Sequence, residues 1–452
     1  MKRKTLAVTL GIFSLIGGMI LPQNAAAQEV YYDENGTPYF YDENGLIFYY
    51  DTNGEIYYYD ESGNVHYTTG GLEGTIPEDG ATDAAASGEE AYEEQTVPES
   101  AAETNTDDTW HQNFRTEIKR GGREREQANA DGQIHSYLTG SLTDENLVLH
   151  RPYAIMINNI QNAIPQAGLS QAAVIYEAPV EGNITRLMAI FEDIANLEKI
   201  GPVRSCRDYY IDFALEFDAF YTHFGQAVYA YDLLNSEMVD NISGLQFQEG
   251  VGELNGYAGE EVFYRTDDRP APHNCYTSGN ALMEAIERKE YNTALDDEYT
   301  GHFKFAADGE TVTYSDGTAT RIVPHQYTNQ PSFVYDEATQ KYMRFQYPNS
   351  DGTEQPQIDE TNGAQLGTDN LIIQYCEVRP YDDNGYLDIN TNSGGEAILF
   401  TRGTYQKATW KKETDWGPAK YYDAQGDEIT VNQGTTWVCI VEDTRKDDTS
   451  FE

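Results

Sequence analysis

The sequence predicts an α+β fold carried behind an exported, tyrosine-rich N-terminal region. Three observations support this. Apolar runs of strand length alternate with helical patterns from about residue 140 to 302. After about residue 303 the hydrophobic period changes to two. Ahead of both, a nine-residue repeat opens the mature chain.

The first residues define the compartment. Lys2, Arg3 and Lys4 precede an apolar stretch from Leu6 to Leu21, and Ala25-Ala26-Ala27 supplies a small-residue cleavage site. Residues 1–27 read as a signal peptide; the alternative is an uncleaved anchor, for which the apolar stretch is short. No cysteine follows the apolar stretch, so the sequence offers no lipid-accepting thiol there, and no later segment is apolar enough to span a membrane. An exported protein, secreted or held at a Gram-positive-type surface, is expected. The formal net charge of −47 excludes a nucleic-acid partner, since a polyanion would be repelled.

Residues 28–71 hold the repeat. Tyr32-Asp33-Glu34-Asn35-Gly36 recurs in Tyr41–Gly45, Tyr50–Gly54 and Tyr59–Gly63. Asn-Gly and Ser-Gly suit tight hairpin turns and the aromatic runs between them suit strands, so a meander of very short hairpins is predicted. These units resemble the aromatic cell-wall-binding repeats of Gram-positive surface proteins, which are longer and carry Trp. That resemblance implies a wall- or sugar-binding role; a stalk or a disordered tyrosine-rich tract is the alternative.

Residues 72–139 read as an acidic, disordered linker, since Ala, Glu, Thr and Asp bury too little apolar surface to offset ordering entropy. The linker ends in a basic cluster of Arg115, Lys119, Arg120, Arg123 and Arg125 interleaved with glutamates, which is expected to be a solvated helix. A mixed α/β subdomain is predicted for 140–302. Strands are expected at Tyr153–Ile157, up to Tyr176, at Arg186–Phe191 and at Asp218–Phe224, with helices at Asp208–Phe217 and Ala281–Glu290. From 303 to 445, Thr-, Tyr- and Val-rich runs separated by Asp-Gly and Asn-Gly turns predict an antiparallel β-rich subdomain.

Between the apolar runs of the first subdomain lie polar clusters that a core does not need: Tyr176-Glu177, Glu181 to Arg186, Gly201 to Arg207, His223-Phe224-Gly225 and Arg269 to Asn274. Convergence of these loops would unite Glu177, Glu181, Arg186, Arg204, Arg207, His223, Arg269, His273 and Asn274. Arg204 and Arg207 can fork onto a carboxylate or phosphate. A His–Glu couple can serve as acid and base, and Ser205 is a possible nucleophile, although no Gly-x-Ser-x-Gly elbow is present. Buried Arg–Glu pairs and a capped loop histidine would give the same residues without any ligand. The set is richer in Arg than in proton-transfer groups. It favours binding of a wall polymer, an anionic ligand or a wall-synthesis partner over a wall-directed hydrolase or transferase. No metal-ligand spacing and no cofactor motif occurs, so neither metal nor cofactor is expected.

These motifs, with Gly403-Thr404-Tyr405 to Trp410, Tyr422 to Gly426 and Gly434 to Trp437, resemble the YerB-like family of bacterial envelope lipoproteins, whose molecular function is not established. The likeness spans roughly residues 148–442. It implies a two-part α+β domain outside the membrane, and its members are usually lipidated, which this chain's missing cysteine does not match. Four cysteines in an exported chain permit disulfides. Cys206–Cys275 and Cys376–Cys439 are the expected pairs, each within one subdomain; the alternative is four buried free thiols. Cys206 and Cys275 stand where relatives commonly carry other residues, which implies a bridge between two motifs.

Overall fold

The computed structural model describes short strands within residues 31–67 and residues 125–452, apart from 249–251, 298, 300, 383, 384 and 415. The signal peptide, the linker and its basic cluster up to residue 124, and the repeat turns lie outside the described residues. The chain forms two compact units, 1–98 and 99–452. In the first, five short strands pair in chain order as an antiparallel meander, and the last four begin nine residues apart, at Pro38, Ile47, Ile56 and Val65.

The second unit is rich in strands and poor in helices. Its main sheet has eleven strands. On one side Phe220–His223 runs parallel to Tyr153–Asn158, which pairs antiparallel with Ile184–Phe191, itself antiparallel to Val174–Val180. Each is apolar along almost its whole length, as a strand covered on both faces must be. The 174–180 and 184–191 strands are joined by a tight turn in which Gly182 and Asn183 both take positive φ, 71° and 59°.

The second half of the chain differs from the expected separate antiparallel domain. Asn370–Cys376 pairs antiparallel with Gly395–Thr401, but Thr436–Glu442 runs parallel both to 370–376 and to Val174–Val180. The long excursion between Cys376 and Thr436 lets the chain return in the same direction. One continuous sheet therefore passes through both halves, with Cys439 in register with Glu177.

Each face of this sheet carries its own core. The helix Asp208–Leu215, every residue buried, covers the face bearing Met156, Tyr176 and Met188. The opposite face, bearing Ile157, Ile175 and Leu187, packs under a second sheet that includes Ser332–Asp336 and Lys341–Phe345. Phe333 meets Trp437 edge-on at 5.5 Å between ring centroids. At roughly 1.5–3 kcal/mol for each large side chain fully buried, these two layers supply most of the favourable folding energy.

The helix is fastened to the second half through three carboxylates spaced four residues apart. Asp208 accepts from the Tyr381 hydroxyl. Asp212 accepts from Thr391 Oγ1 at 2.7 Å and Trp416 Nε1 at 3.2 Å. Glu216 pairs with Lys412 Nζ at 2.6 Å. A spacing of four puts all three on one helical stripe.

The expected disulfides are not formed: all four cysteines are free and buried. The register explains the second pair. Cys439 lies opposite Ile373, three positions from Cys376, so the two thiols belong to the cores on opposite faces. In the first pair, Cys275 lies against Val203 and Cys206 against Gln226. Burial raises the pKa of all four thiols. Alkylation at pH 8 without reductant should therefore leave the native protein unlabelled and add four labels in denaturant. Two or no labels in denaturant would contradict the free-thiol state.

Candidate functional site

The alternation of the strands divides the expected site in two. Glu177 is in register with Leu187, whereas the next residue, Ala178, is in register with Arg186, which in turn faces Asn158. Successive side chains of a strand point to opposite faces. Glu177 and Arg186 therefore lie on opposite sides of the main sheet and cannot share a ligand.

Glu177 is fully buried under the second sheet and pairs with the equally buried Arg344, whose Nη2 lies 2.9 and 2.7 Å from its two carboxylate oxygens. Thr185 Oγ1 and Asn329 Nδ2 donate to Oε1 at 2.9 and 2.8 Å. Trp437 Nε1 donates to Oε2 at 3.3 Å. Burial opposes the charge on Glu177, but Arg344, followed by His325 and Asn329, outweighs it and holds the carboxyl well below its ordinary range. From Arg344 a chain of bonds returns to the start. Arg344 Nε donates to Gln357, Gln357 to Gln166, Gln166 to Asn159, Asn159 to Thr185, and Thr185 to Glu177. The Arg344 guanidinium also lies against the rings of Phe333 and Trp437, at 4.7 and 4.9 Å.

On the helix side, three arginines converge. Glu181, at the turn after the 174–180 strand, forks onto Arg207 with Nε–Oε1 and Nη2–Oε2 both 2.7 Å. Burial opposes its charge, and Arg207 outweighs burial and lowers its pKa. Arg186 is 6% exposed and donates from Nη1 to Ser205 O at 2.6 Å. Its pKa is pulled down to about 10, first by burial and then by the charges of Arg207 and Arg204. His273 accepts or donates at 2.9 Å between its Nδ1 and Asn158 Nδ2; since an amide nitrogen donates, Nδ1 is the acceptor. Its pKa is lowered to about 4 by burial, then by Arg204 and Arg269. Three guanidiniums, a neutral imidazole and the Glu181 carboxylate thus lie within electrostatic reach of one another. Beside them, the Arg207 guanidinium stands 5.3 Å over the ring of Tyr386, next to a stacked Tyr229–Tyr381 pair with centroids 4.1 Å apart.

Three expected members have other tasks. His223 is fully buried between Gly225 O, 2.8 Å, and Asn241 Oδ1, 3.2 Å, and burial lowers its pKa. Arg269 holds the 163–165 segment through Ala163 O and Pro165 O and reaches Glu360 at 3.2 Å. Asn274 receives Arg265 Nη1 at 2.8 Å and donates to Thr266 O at 2.7 Å. Among the described residues no group of three or more His, Cys, Asp or Glu side chains is arranged to hold a metal ion.

Sequence reasoning missed Arg344, Asn329, Trp437 and Asn158. A signal existed for Arg344. It alternates with Tyr342 and Gln346 on the inward face of a half-buried strand, where a charge requires a partner.

Residues 138–292 match the N-terminal domain, and residues 321–438 the C-terminal domain, of a family described as protein of unknown function DUF3048. The putative lipoprotein YerB of Bacillus subtilis (strain 168) is 32% identical over 312 residues, covering 69% of this chain and 87% of that protein. The crystal structure of YerB protein from Bacillus subtilis superposes with a TM-score of 0.58 at 29% identity, over 71% of this chain and 99% of that chain.

The depressed pKa of His273 has a measurable consequence. Its imidazole is neutral in the fold while the unfolded chain takes up a proton near the ordinary histidine value of about 6.5. The stability it contributes is complete above that value and is lost as pH falls towards about 4. An NMR titration should place the His273 midpoint near 4, and Arg204→Ala should move it upward. A midpoint already near 6.5 in the unmodified chain would refute the positive surroundings assigned to it.

Proposed function

The chain belongs to this family of proteins of unknown function, and from that premise we propose that it is an exported cell-envelope protein. In this reading it binds an anionic group, a phosphate or carboxylate of a wall polymer, at Arg186, Arg204, Arg207 and His273. The observation that carries the proposal is the excess of positive charge around Arg186. Arg186 is only 6% exposed, and the charges of Arg207 and Arg204 join burial in lowering its pKa, so an anion bound at this face would meet a strongly favourable field. Arginine forks match planar carboxylates and phosphates, and Asn158 and neutral His273 add uncharged polar groups. The name of the Bacillus subtilis relative, a putative lipoprotein, supports an envelope location.

The same geometry favours binding over acid–base catalysis. Glu177 and Glu181 lie on different sides of the sheet, each held as a carboxylate by an arginine. A proton-transfer pair would need two carboxyl groups facing one substrate.

Co-sedimentation of the mature protein with Gram-positive wall sacculi, with and without their phosphate-bearing polymers, tests the proposal. Arg204→Ala, with residues 28–71 retained, should weaken binding roughly tenfold or more, and added salt should weaken the unmodified protein likewise. Unchanged binding by the variant, or equal binding to sacculi stripped of anionic polymer, would remove the site from the interaction. In a companion titration, a bound phosphate should raise the His273 midpoint, because the anion favours the imidazolium.

A further inference from the structure

A groove of about 390 Å³ lies between the last turns of the helix Gly279–Arg288 and the start of the Tyr153–Asn158 strand. That volume is ample for a bound group. Tyr153, Met283, Ile286 and Tyr291 give it an apolar and aromatic wall, while Glu287 and Glu290 stand exposed on its rim. Among the described residues neither glutamate has an ion-pair partner. The cations next to them are committed elsewhere, Arg288 to Glu261 at 3.0 Å and Lys289 to Asn255 O.

The chain enters the folded unit beside this groove. Arg125 Nη2 donates to Leu295 O and Asp296 O, at 3.3 and 2.7 Å, and its Nη1 lies 3.3 Å from Asp297. The segment that accepts these bonds is continuous with the groove wall. Thr293 lines the groove and accepts from Arg151 N, and His150, another lining residue, bridges to Ala294.

What precedes Arg125 has the complementary character. Arg115 is the first Lys or Arg after Lys4, and Lys119, Arg120 and Arg123 follow it, in a chain whose net charge is −47. Trp110, Phe114 and Ile118 recur every four residues, the spacing that lays apolar side chains on one helical stripe. Gly121-Gly122 allows the chain to reverse after them. The stretch from Ile118 to Arg125 spans up to about 25 Å when extended, so the groove is within reach.

We propose that residues 110–124 dock in this groove. Trp110, Phe114 and Ile118 meet the wall of Tyr153, Met283, Ile286 and Tyr291, and Lys119 and the arginines meet Glu287 and Glu290. An acidic rim around an apolar floor selects a basic amphipathic segment, and a tether ending beside the rim supplies one at high effective concentration. Docking commits the basic cluster to carboxylates of its own chain rather than to a wall polymer. The groove is distinct from the arginine face and does not depend on what that face binds.

Zero-length carbodiimide cross-linking of the mature chain, as an equal mixture of isotope-labelled and unlabelled protein, is the test. Lys119 should join Glu287 or Glu290 within one isotopic species. Phe114→Asp combined with Ile118→Asp, which leaves the groove's own residues intact, should lower that yield several-fold. An unchanged yield would mean that tethering alone brings Lys119 near, and would overturn the proposal. Lys119 joined mainly to other carboxylates would overturn it too, as would mixed-isotope products, which assign the groove to a second copy. Trp110 gives an independent readout, because the other three tryptophans are at most 6% exposed. Comparison with Trp110→Phe should show Trp110 shielded from acrylamide quenching, and Glu287→Gln with Glu290→Gln should expose it. A Trp110 already as accessible as free tryptophan in the unmodified chain would contradict the docking.

Discussion

The buried pair Glu177–Arg344 is the interaction on which the rest of the structure depends. Both side chains are fully removed from solvent, and they come from positions 167 residues apart. Isolating either charge would cost several kcal/mol, and leaving one unpaired typically about 3–5 kcal/mol. The pair therefore forms only when the first half's strands and the second half's small sheet are stacked in one register. The returning chain of amide bonds through Gln357, Gln166 and Asn159 narrows the choice further, because every member donates to the next.

On the other side of the main sheet, the acidic stripe of the Asp208–Leu215 helix does the corresponding work. Tyr381, Thr391, Trp416 and Lys412 all come from the second half, and each reaches one of the three helix-face carboxylates, Asp208, Asp212 and Glu216. The helix is thereby clamped at its start, middle and end. Its first residue directly follows Arg207, so the clamp also positions the arginine face. The two halves that the family models describe separately are thus one body, sharing a sheet and fastened on both of its faces. A rigid frame of this kind holds Arg186, Arg204 and Arg207 close together, against their mutual repulsion.

Much of this was legible in the sequence, for identifiable reasons. The strands at 153–158 and 184–191 and the helix from Asp208 announce themselves by apolar runs and helical spacing, which are local properties. The arginine and glutamate motifs were visible because cores rarely use such residues. What could not be read was which face each occupies. Glu177 and Arg186 belong to adjacent strands, and a one-residue difference in register reverses a side chain's face. The same rule separates Cys376 from Cys439, although both lie in apolar, neighbouring strands of one sheet. Partners such as Arg344 for Glu177, or Lys412 for Glu216, are set by the topology of a sheet that crosses both halves, and no local pattern encodes that crossing.

The central claim is that Glu177 and Arg344 act as a unit that joins the two halves. A double-mutant cycle with Glu177→Gln, Arg344→Met and the double variant, followed by denaturant unfolding, tests it most directly. The account predicts that each single change is strongly destabilising. It also predicts that the double variant loses less than the sum of the two, with a coupling of roughly 1–3 kcal/mol and one cooperative transition throughout. Losses that add within about 0.5 kcal/mol would contradict it, and would make the pair an incidental contact within an interface held by other means.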